Sequence, residues 1–193
     1  MQFKITVPVD FEDEPVSLAE ARLQCKVDDD DTSHDDALKA LITTAREYAE
    51  HYTGHGLAPQ TLEAALDCFP GDDGVIELPK CPVSEVTSIK YTDTDGNEQT
   101  FASIKYALSP YGLARNLAPS FGNYWPVTQD VMDSVRIVQV CGYTAELLPK
   151  AAKQAMLIHI ELESPLNPHT PAEREAYEKA RDSMLNNIKI YGF

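Results

Sequence analysis

Between residues 33 and 54 the hydrophobic positions recur at spacings of three and four, which is the pattern of a helix that buries one face. These apolar positions are Leu38, Leu41, Ile42, Ala45, Tyr48, Ala49 and Tyr52. Ser33 is a candidate N-cap, and Asp36 lies three residues later, near the positive end of the helix dipole. Gly54 suits the left-handed conformation that ends many helices. The pattern predicts a helix between Ser33 and Gly54.

A shorter helix is predicted before it, in "PVSLAEARLQCKV". Ser17 and Glu20 have the spacing of a capping box, in which each side chain accepts a hydrogen bond from the other residue's backbone N–H. The helix should end near Val27, because four consecutive aspartates follow, Asp28–Asp31. A run of like charges with no apolar residue has no face to bury, so this segment is predicted to be an acidic loop.

From residue 60 to residue 141 the chain consists of short segments rich in β-branched and aromatic residues, which are typical of strands. "VIELP" predicts a short strand, and "EVTSIKYTDTDGNEQTFA" predicts a hairpin with its turn at Asp95-Gly96. "IKYAL" and "SVRIVQVCGY" predict two more strands. "QTLEAALDCFP" alternates as a strand would, but Leu62, Leu66 and Phe69 also fit a helix face, and periodicity leaves both interpretations open.

After Gly142-Tyr143 the pattern becomes helical again. Pro149 suits the first turn of a helix over "KAAKQAMLIHIELES". His159 lies on the apolar face of that helix, so we interpret it as a partly buried structural residue.

A last helix is predicted from Thr170, with Pro171 at its first position and Glu173 completing a capping box. Its apolar residues are few, and such a helix often needs a partner surface to be stable. We therefore predict that it docks on a partner. The candidate contact residues are Tyr177, Arg181 and Leu185.

Helices, then strands, then helices, without alternation, indicate an α+β fold: an N-terminal helical pair, a central antiparallel β-rich region and C-terminal helices. We predict three regions, residues 1–58, 59–144 and 145–193, that form one compact unit with a docking tail.

The formal charge of the 193-residue chain is −15, which argues against a surface that binds phosphates, because such contacts need lysine and arginine. Eleven acids between residues 10 and 36 are opposed only by Arg22 and Lys26. These acids are Asp10, Glu12, Asp13, Glu14, Glu20, Asp28, Asp29, Asp30, Asp31, Asp35 and Asp36. The simplest interpretation is a solvated face and loop.

The sequence contains none of the common motifs for catalysis, cofactor binding or metal binding. The sequence has no P-loop, GxGxxG, GxSxG or HExxH motif. The four cysteines form no CxxC pair, and "DDDDTSHDD" lacks the glycine and final glutamate of a calcium loop. His51 and His55 are separated by the helix-ending Gly54, so they need not share a face. We therefore predict no enzyme, no catalytic residue, no cofactor and no metal site.

Two further features bear on partners. "MQFKITVPVD" lacks the apolar core of a signal peptide, and no window is long and apolar enough to span a bilayer, so we expect a cytoplasmic protein without a membrane partner. Trp125, the only tryptophan, lies in a segment rich in proline and glycine. It is either a binding platform or a ring packed on a sheet edge, and the sequence does not decide between them.

Several of these segments, taken in order, resemble the tailed-phage head–tail connector (adaptor) proteins of the gp6-like or phi-E125-type family. The similar segments are "VSLAEARLQCKVD", "DDALKALITTAREYAEHYTGHGLAPQT", "LPKCPVSEVTSIKYTDTDGNEQT" and "VRIVQVCGYTAELLPKAAKQAMLIHI". The resemblance extends over residues 15 to 160. Leu62 stands where the family often has an aromatic residue, and the chain beyond Ser164 has no counterpart in the resemblance.

The resemblance implies a structural virion or prophage protein that forms a ring of about a dozen copies below the portal and extends the DNA channel toward the tail. Its partners would be other copies, the portal protein and a stopper or tail-completion protein. DNA would pass without specific binding, and an acidic wall, with Asp28–Asp31 as candidates, would favour this. Assembly in the host bacterial cytoplasm and a final place in the virion neck are also implied. The resemblance further favours a strand for "QTLEAALDCFP" and a seam between helical and β parts at Thr53-Gly54.

Three alternatives stay open on the sequence. An acidic DNA mimic would inhibit a basic protein partner and would spread its acids at phosphate-like spacing. An unrecognised hydrolase would need convergent carboxylates with perturbed pKa values. Another neck or tail-completion protein would belong to the same structural class as the connector.

Overall fold

The computed structural model describes residues 1–71, 73–110 and 115–190. Within these ranges the chain has four α-helices and eight strands in antiparallel sheets, which confirms the predicted α+β class. The strands are β1 (Gln2–Val7), β2 (Gln60–Leu66), β3 (Ile76–Glu77), β4 (Val83–Thr92), β5 (Glu98–Thr100), β6 (Tyr106–Leu108), β7 (Asn116–Pro119) and β8 (Val135–Cys141). The helices are α1 (Leu18–Gln24), α2 (Asp35–Thr53), α3 (Lys150–Glu163) and α4 (Pro171–Asn186).

The chain divides into two compact units, and neither is continuous in sequence. The β unit contains Met1–Pro8 and Pro59–Gly142, and the helical unit contains Val9–Ala58 and Tyr143–Phe193. The segments predicted as N-terminal and C-terminal helical regions therefore belong to one unit. The first eight residues, which the predicted regions grouped with the helices, belong to the β unit.

The β unit contains a five-stranded sheet in the order β1-β2-β8-β4-β5 and a three-stranded sheet in the order β3-β7-β6. In β8 the alternate residues Val135, Ile137, Gln139 and Cys141 are buried. Ile137 lies opposite Ala64 of β2 and Ile89 of β4, so one face of the central strands forms a core. The segment "QTLEAAL" is therefore a strand, since β2 pairs with β8 along its whole length.

The predicted hairpin is formed by β4 and β5, with Lys90 opposite Thr100. Its turn needs a left-handed residue, and Gly96 supplies it with a φ of 85°. The Asp93 carboxylate accepts hydrogen bonds from the backbone N–H groups of Asn97 and Asp95. These bonds, with one from the Gln99 side chain, lower the pKa of Asp93.

Three details of the β unit differ from the sequence prediction. Strands β1 and β7 were not predicted. The segment "IKYAL" is a strand only from Tyr106, because Ser103–Lys105 forms a 3-10 turn.

In the helical unit, both predicted capping boxes are present, at Ser17 with Glu20 and at Thr170 with Glu173. The predicted N-cap of α2 was wrong. His34 occupies that position, and the backbone N–H and hydroxyl of Ser33 both donate to the Asp31 carboxylate instead. At the other end of α2, Gly54 has the predicted left-handed conformation, with a φ of 79°.

One apolar core joins the four helices of this unit. Its largest fully buried side chains are Leu38, Ile42, Leu57, Met156, Ile160 and Leu185. Helix α4 packs on α3 and α2, so the surface that its thin apolar face requires is present within the same unit.

A buried ion network also belongs to the helical unit. The Arg46 guanidinium lies 3.1 Å from a Glu14 carboxylate oxygen and 3.3 Å from a Glu50 carboxylate oxygen. The other oxygen of Glu50 accepts the backbone N–H of Leu57 at 2.8 Å. All three charged side chains are more than nine-tenths buried.

Candidate interaction surfaces

The acidic loop between α1 and α2 presents its charge to solvent. Asp28, Asp29 and Asp30 are exposed, and Asp31 is half-buried. Ser33 holds Asp31 by two hydrogen bonds to one carboxylate oxygen, and these bonds lower the pKa of Asp31. Arg22 donates to the backbone carbonyl of Asp29, but its guanidinium is engaged mainly by Asp35. The loop is therefore a patch of carboxylates with little local compensation.

Trp125 is a packed ring and not a platform. Its indole stacks on Phe69 with 4.7 Å between the ring centroids, and its Nε1–H donates to the Gly74 carbonyl at 2.7 Å. The ring is buried in the core of the β unit. The indole is therefore packed within its own unit. It is not exposed, so it is not available for the interface role that the sequence suggested.

Arg181 and Leu185, two of the three candidate contact residues on α4, are also buried. The Arg181 guanidinium lies 4.3 Å from the centroid of the Tyr48 ring and donates to Nδ1 of His159 at 3.1 Å. Leu185 is fully enclosed in the core of the helical unit. Both side chains hold α4 on its own unit, which corrects the suggestion that they face a partner. Tyr177 is 37% exposed and remains a candidate contact residue.

The histidines do not form a joint site. His51 is exposed on α2, whereas the buried His55 lies beyond the helix end, with Nε2 at 2.7 Å from the Ile188 carbonyl oxygen. His159 is buried on α3 and stacks on Tyr48 at 4.6 Å. Burial, and then the nearby Arg181 charge, lower the pKa of His159. It is the structural histidine that the sequence predicted.

In the described part of the chain, no group of three or more histidine, cysteine or acidic side chains could hold a metal ion. All four cysteines lie in the described ranges and none of them forms a disulfide; Cys68 is exposed, and the other three are buried. Burial raises the pKa of the Cys81 thiol to about 11. Among the described helices, none combines the length and apolar character needed to cross a membrane.

Two exposed apolar surfaces escaped the sequence analysis, and both lie in the β unit. The first is the outer strand β1, which exposes Phe3, Ile5 and Val7. The alternation of these residues with Gln2, Lys4 and Thr6 was the available signal. The second is the segment between β7 and β8. It exposes Phe121, Tyr124, Val127, Val131 and Met132.

Chains with this fold occur in solved structures of gene transfer agent (GTA) particles. One, from the neck of an empty GTA particle computed with C6 symmetry, aligns over 100% of this chain and 97% of its own length, with a TM-score of 0.79 and 20% identity. A second, from the virion of a native gene transfer agent particle, has a TM-score of 0.73 and 21% identity over the same shares. A third, from the neck of a native GTA particle computed with C12 symmetry, has a TM-score of 0.70 and 22% identity, again over 100% of this chain and 97% of its own.

At 20–22% identity, these similarities show that the fold is shared, and a family model shows the class of protein, a head-tail connector. Residues 15–111, half of the 193-residue chain, match the model of the phage gp6-like head-tail connector proteins. The chain belongs to this family. A comparison with curated protein sequences found no match.

Proposed function

We propose that this connector subunit assembles with copies of itself into a ring in the neck of a phage or phage-like particle. The observation that carries the proposal is the family match over residues 15–111. The similarity of the whole chain to chains from necks computed with C6 and C12 symmetry supports it. Closed rings arise when each subunit contacts the next through two different surfaces.

The proposed ring has two further partners. It binds the portal protein on one side and a stopper or tail-completion protein on the other, after assembly in the host bacterial cytoplasm. It acts by binding and carries out no reaction. Tyr177 on α4 is a candidate contact residue, because it is a large aromatic side chain that is not enclosed by its own unit.

The proposed ring also surrounds the path of the DNA. The chain has a net charge of −15 and a solvated patch at Asp28–Asp31. Carboxylates that line a channel repel phosphates, so DNA passes without being retained. We therefore propose that the acidic loop lies on the channel wall.

The test is co-sedimentation of the purified chain with the portal ring encoded by the same phage or prophage, followed by mass measurement by light scattering. The expected result is a complex that adds about a dozen copies of the chain to the portal. The variant Tyr177→Ala should reduce the amount bound, whereas Lys179→Ala, on the same helix, should not. A chain that leaves the portal unbound but captures a basic protein would instead support the DNA-mimic alternative.

The acidic loop has its own test. Replacing Asp28, Asp29, Asp30 and Asp31 by asparagine should leave ring formation intact and slow the passage of DNA, because the wall no longer repels phosphates. The measurement is the rate of DNA ejection from assembled particles. The matched control replaces two acids of α4, the exposed Glu175 and the half-buried Glu178, by glutamine. Equal ejection rates in the parent, the loop variant and the control would contradict the proposal that the acidic loop lies on the channel wall.

A further inference from the structure

Strand β1 is an exposed edge with an apolar face. It is the first strand of the five-stranded sheet, and within the described residues only β2 pairs with it. All six of its residues are exposed. The exposed fractions are 47% for Phe3, 51% for Ile5 and 54% for Val7.

The apolar face of β1 continues the core face of the sheet. Phe3 lies opposite Ala64 and Ile5 lies opposite Leu62. Directly opposed residues of an antiparallel pair project to the same side of the sheet. Ala64 and Leu62 are fully buried, whereas their neighbours on β1 are half uncovered. The core face of the sheet is therefore fully covered at β2 but only partly covered at β1.

The other edge of the same sheet is built differently. Strand β5 has three residues, and its Glu98 forms ion pairs with Lys90 and Arg136. A short, charged edge of this kind resists pairing with other chains, whereas a longer apolar edge does not. The single charge on β1, Lys4, is paired with Glu63 at 2.6 Å. β1 is thus the edge that the sequence leaves unprotected.

The charge distribution indicates what covers β1. Copies of a chain with a net charge of −15 repel one another, so a contact between copies must avoid acidic surface. Residues 1–9 contain no aspartate or glutamate, and residues 116–129 contain no charged residue at all. Both stretches also expose large apolar side chains.

The second stretch supplies a surface that differs from β1. We define the uncharged loop as residues 120–129, between β7 and β8. Phe121 is fully exposed, and Tyr124 and Val127 are 66% and 76% exposed. Large aromatic and aliphatic side chains free of charge are typical of the centre of a protein interface.

We propose that the apolar face of β1 in one copy packs against the uncharged loop of the next copy around the ring. This inference rests on the proposed ring and names the two surfaces that build it. Two different surfaces make a head-to-tail contact, which can close into a ring. Pairing of β1 with β1 would be two-fold and would stop at a dimer.

Cysteine cross-linking tests the contact. In a Cys68→Ser background, which removes the exposed thiol, Ile5→Cys is combined with Val127→Cys. Rings are assembled on the portal, oxidised and run on a denaturing gel without reductant. The expected result is a ladder of cross-linked copies that extends beyond the dimer, because each copy is linked on both sides. Ile5→Cys combined with Ile104→Cys, at another exposed apolar residue of the β unit, should give no ladder.

A second pair of variants makes the result independent of disulfide geometry. Ile5→Lys and Val127→Glu should each weaken ring assembly by roughly tenfold, and the double variant should regain most of it, because the new charges then face each other across every contact. Circular dichroism of each variant confirms that the substitution has not unfolded the chain.

The outcomes separate the two proposals. If the Cys68→Ser parent forms no ring on the portal, both the proposed function and the proposed contact are overturned. A parent that forms rings, without the ladder and without the recovery in the double variant, overturns the contact and leaves the ring standing. A dimer formed by Ile5→Cys alone would show β1 pairing with β1 and would also overturn it.

Discussion

Arg46 shows how a charged residue is held inside the helical unit. Its guanidinium lies between the carboxylates of Glu14 and Glu50, all of them buried. Taking charges out of water is costly, and here each charge has partners of opposite sign or a backbone donor. The network joins the segment before α1 to the middle of α2.

The variant Arg46→Met should destabilise the chain by about 3–5 kcal/mol, because it leaves two buried carboxylates without their cation. The free energy of unfolding is measured by urea denaturation. Lys179→Met is the matched control, since Lys179 forms an exposed ion pair with Glu175 on α4. The control should cost less than about 1 kcal/mol, and equal losses in the two variants would contradict this account.

His159 predicts a pH dependence. Burial and the Arg181 charge lower its pKa in the folded state, so the unfolded state binds the proton more readily. The contribution of His159 to stability is therefore full above its unfolded pKa of about 6.5 and falls as the pH drops below that value. In His159→Gln the loss of stability between about pH 7.5 and about pH 5 should be smaller than in the parent.

The control for this pH dependence is His51→Gln, which changes an exposed histidine on α2. It should retain the loss seen in the parent. Urea denaturation at the two pH values checks both variants. An unchanged pH dependence in His159→Gln would show that other groups cause it.

Single residues were predictable where the interaction is local. The capping boxes at Ser17 and Thr170 depend on residues three apart, and both were read from the sequence. The N-cap of α2 was not, because Ser33 had a competing acceptor two residues away in Asp31. Trp125 was undecided because its partner Phe69 is distant in sequence.

At the scale of elements, the N-terminal cap of α4 is the simplest device to test. Thr170→Ala removes a hydroxyl that accepts the Glu173 N–H, and it should cost about 1 kcal/mol. Ser183→Ala, an exposed position inside the same helix, is the control. It should be neutral or slightly stabilising, because alanine is the better helix former. Thermal unfolding followed by circular dichroism distinguishes the two, and a stabilising Thr170→Ala would contradict the capping role.

Elements with strong periodicity were predicted and those without it were not. Helix α2 and the β4–β5 hairpin were found because the pattern of Leu38 to Tyr52 and the Asp95-Gly96 turn are local signals. β2 was undecided because its alternation also fits a helix, and only its pairing with β8 fixes it as a strand. β1 was missed, since a short strand at the edge of a sheet takes its identity from residues about 60 positions away.

At the scale of the whole molecule, the sequence predicted the α+β fold class but not which segments of the chain pack together into each unit. Three contiguous regions were expected, whereas the structure forms two units from segments that are far apart in the chain. Local periodicity says which residues are apolar and does not say which distant segment covers them. The exposed surfaces of the β unit were missed for the same reason, because exposure depends on what the fold leaves uncovered.

The net charge of −15 predicts how ring assembly responds to salt. Raising sodium chloride from about 0.05 M to about 0.5 M should favour assembly, because it screens repulsion between copies and leaves apolar contacts intact. The measurement is the mass of the portal complex by light scattering across the series, with the portal alone as the control. Weaker assembly at high salt would show that ion pairs hold the copies together.

The division of the helical unit sets an order of events during synthesis. The β unit needs no residue beyond Gly142, whereas the core of the helical unit needs Leu185. On the ribosome, the β unit can therefore finish folding before α3 and α4 have been synthesised. Helices α1 and α2 are made early, but their packing partners α3 and α4 are made last. Until then the apolar stripe of α2 is open to water, and a chain released before α4 emerges is a substrate for chaperones and proteases.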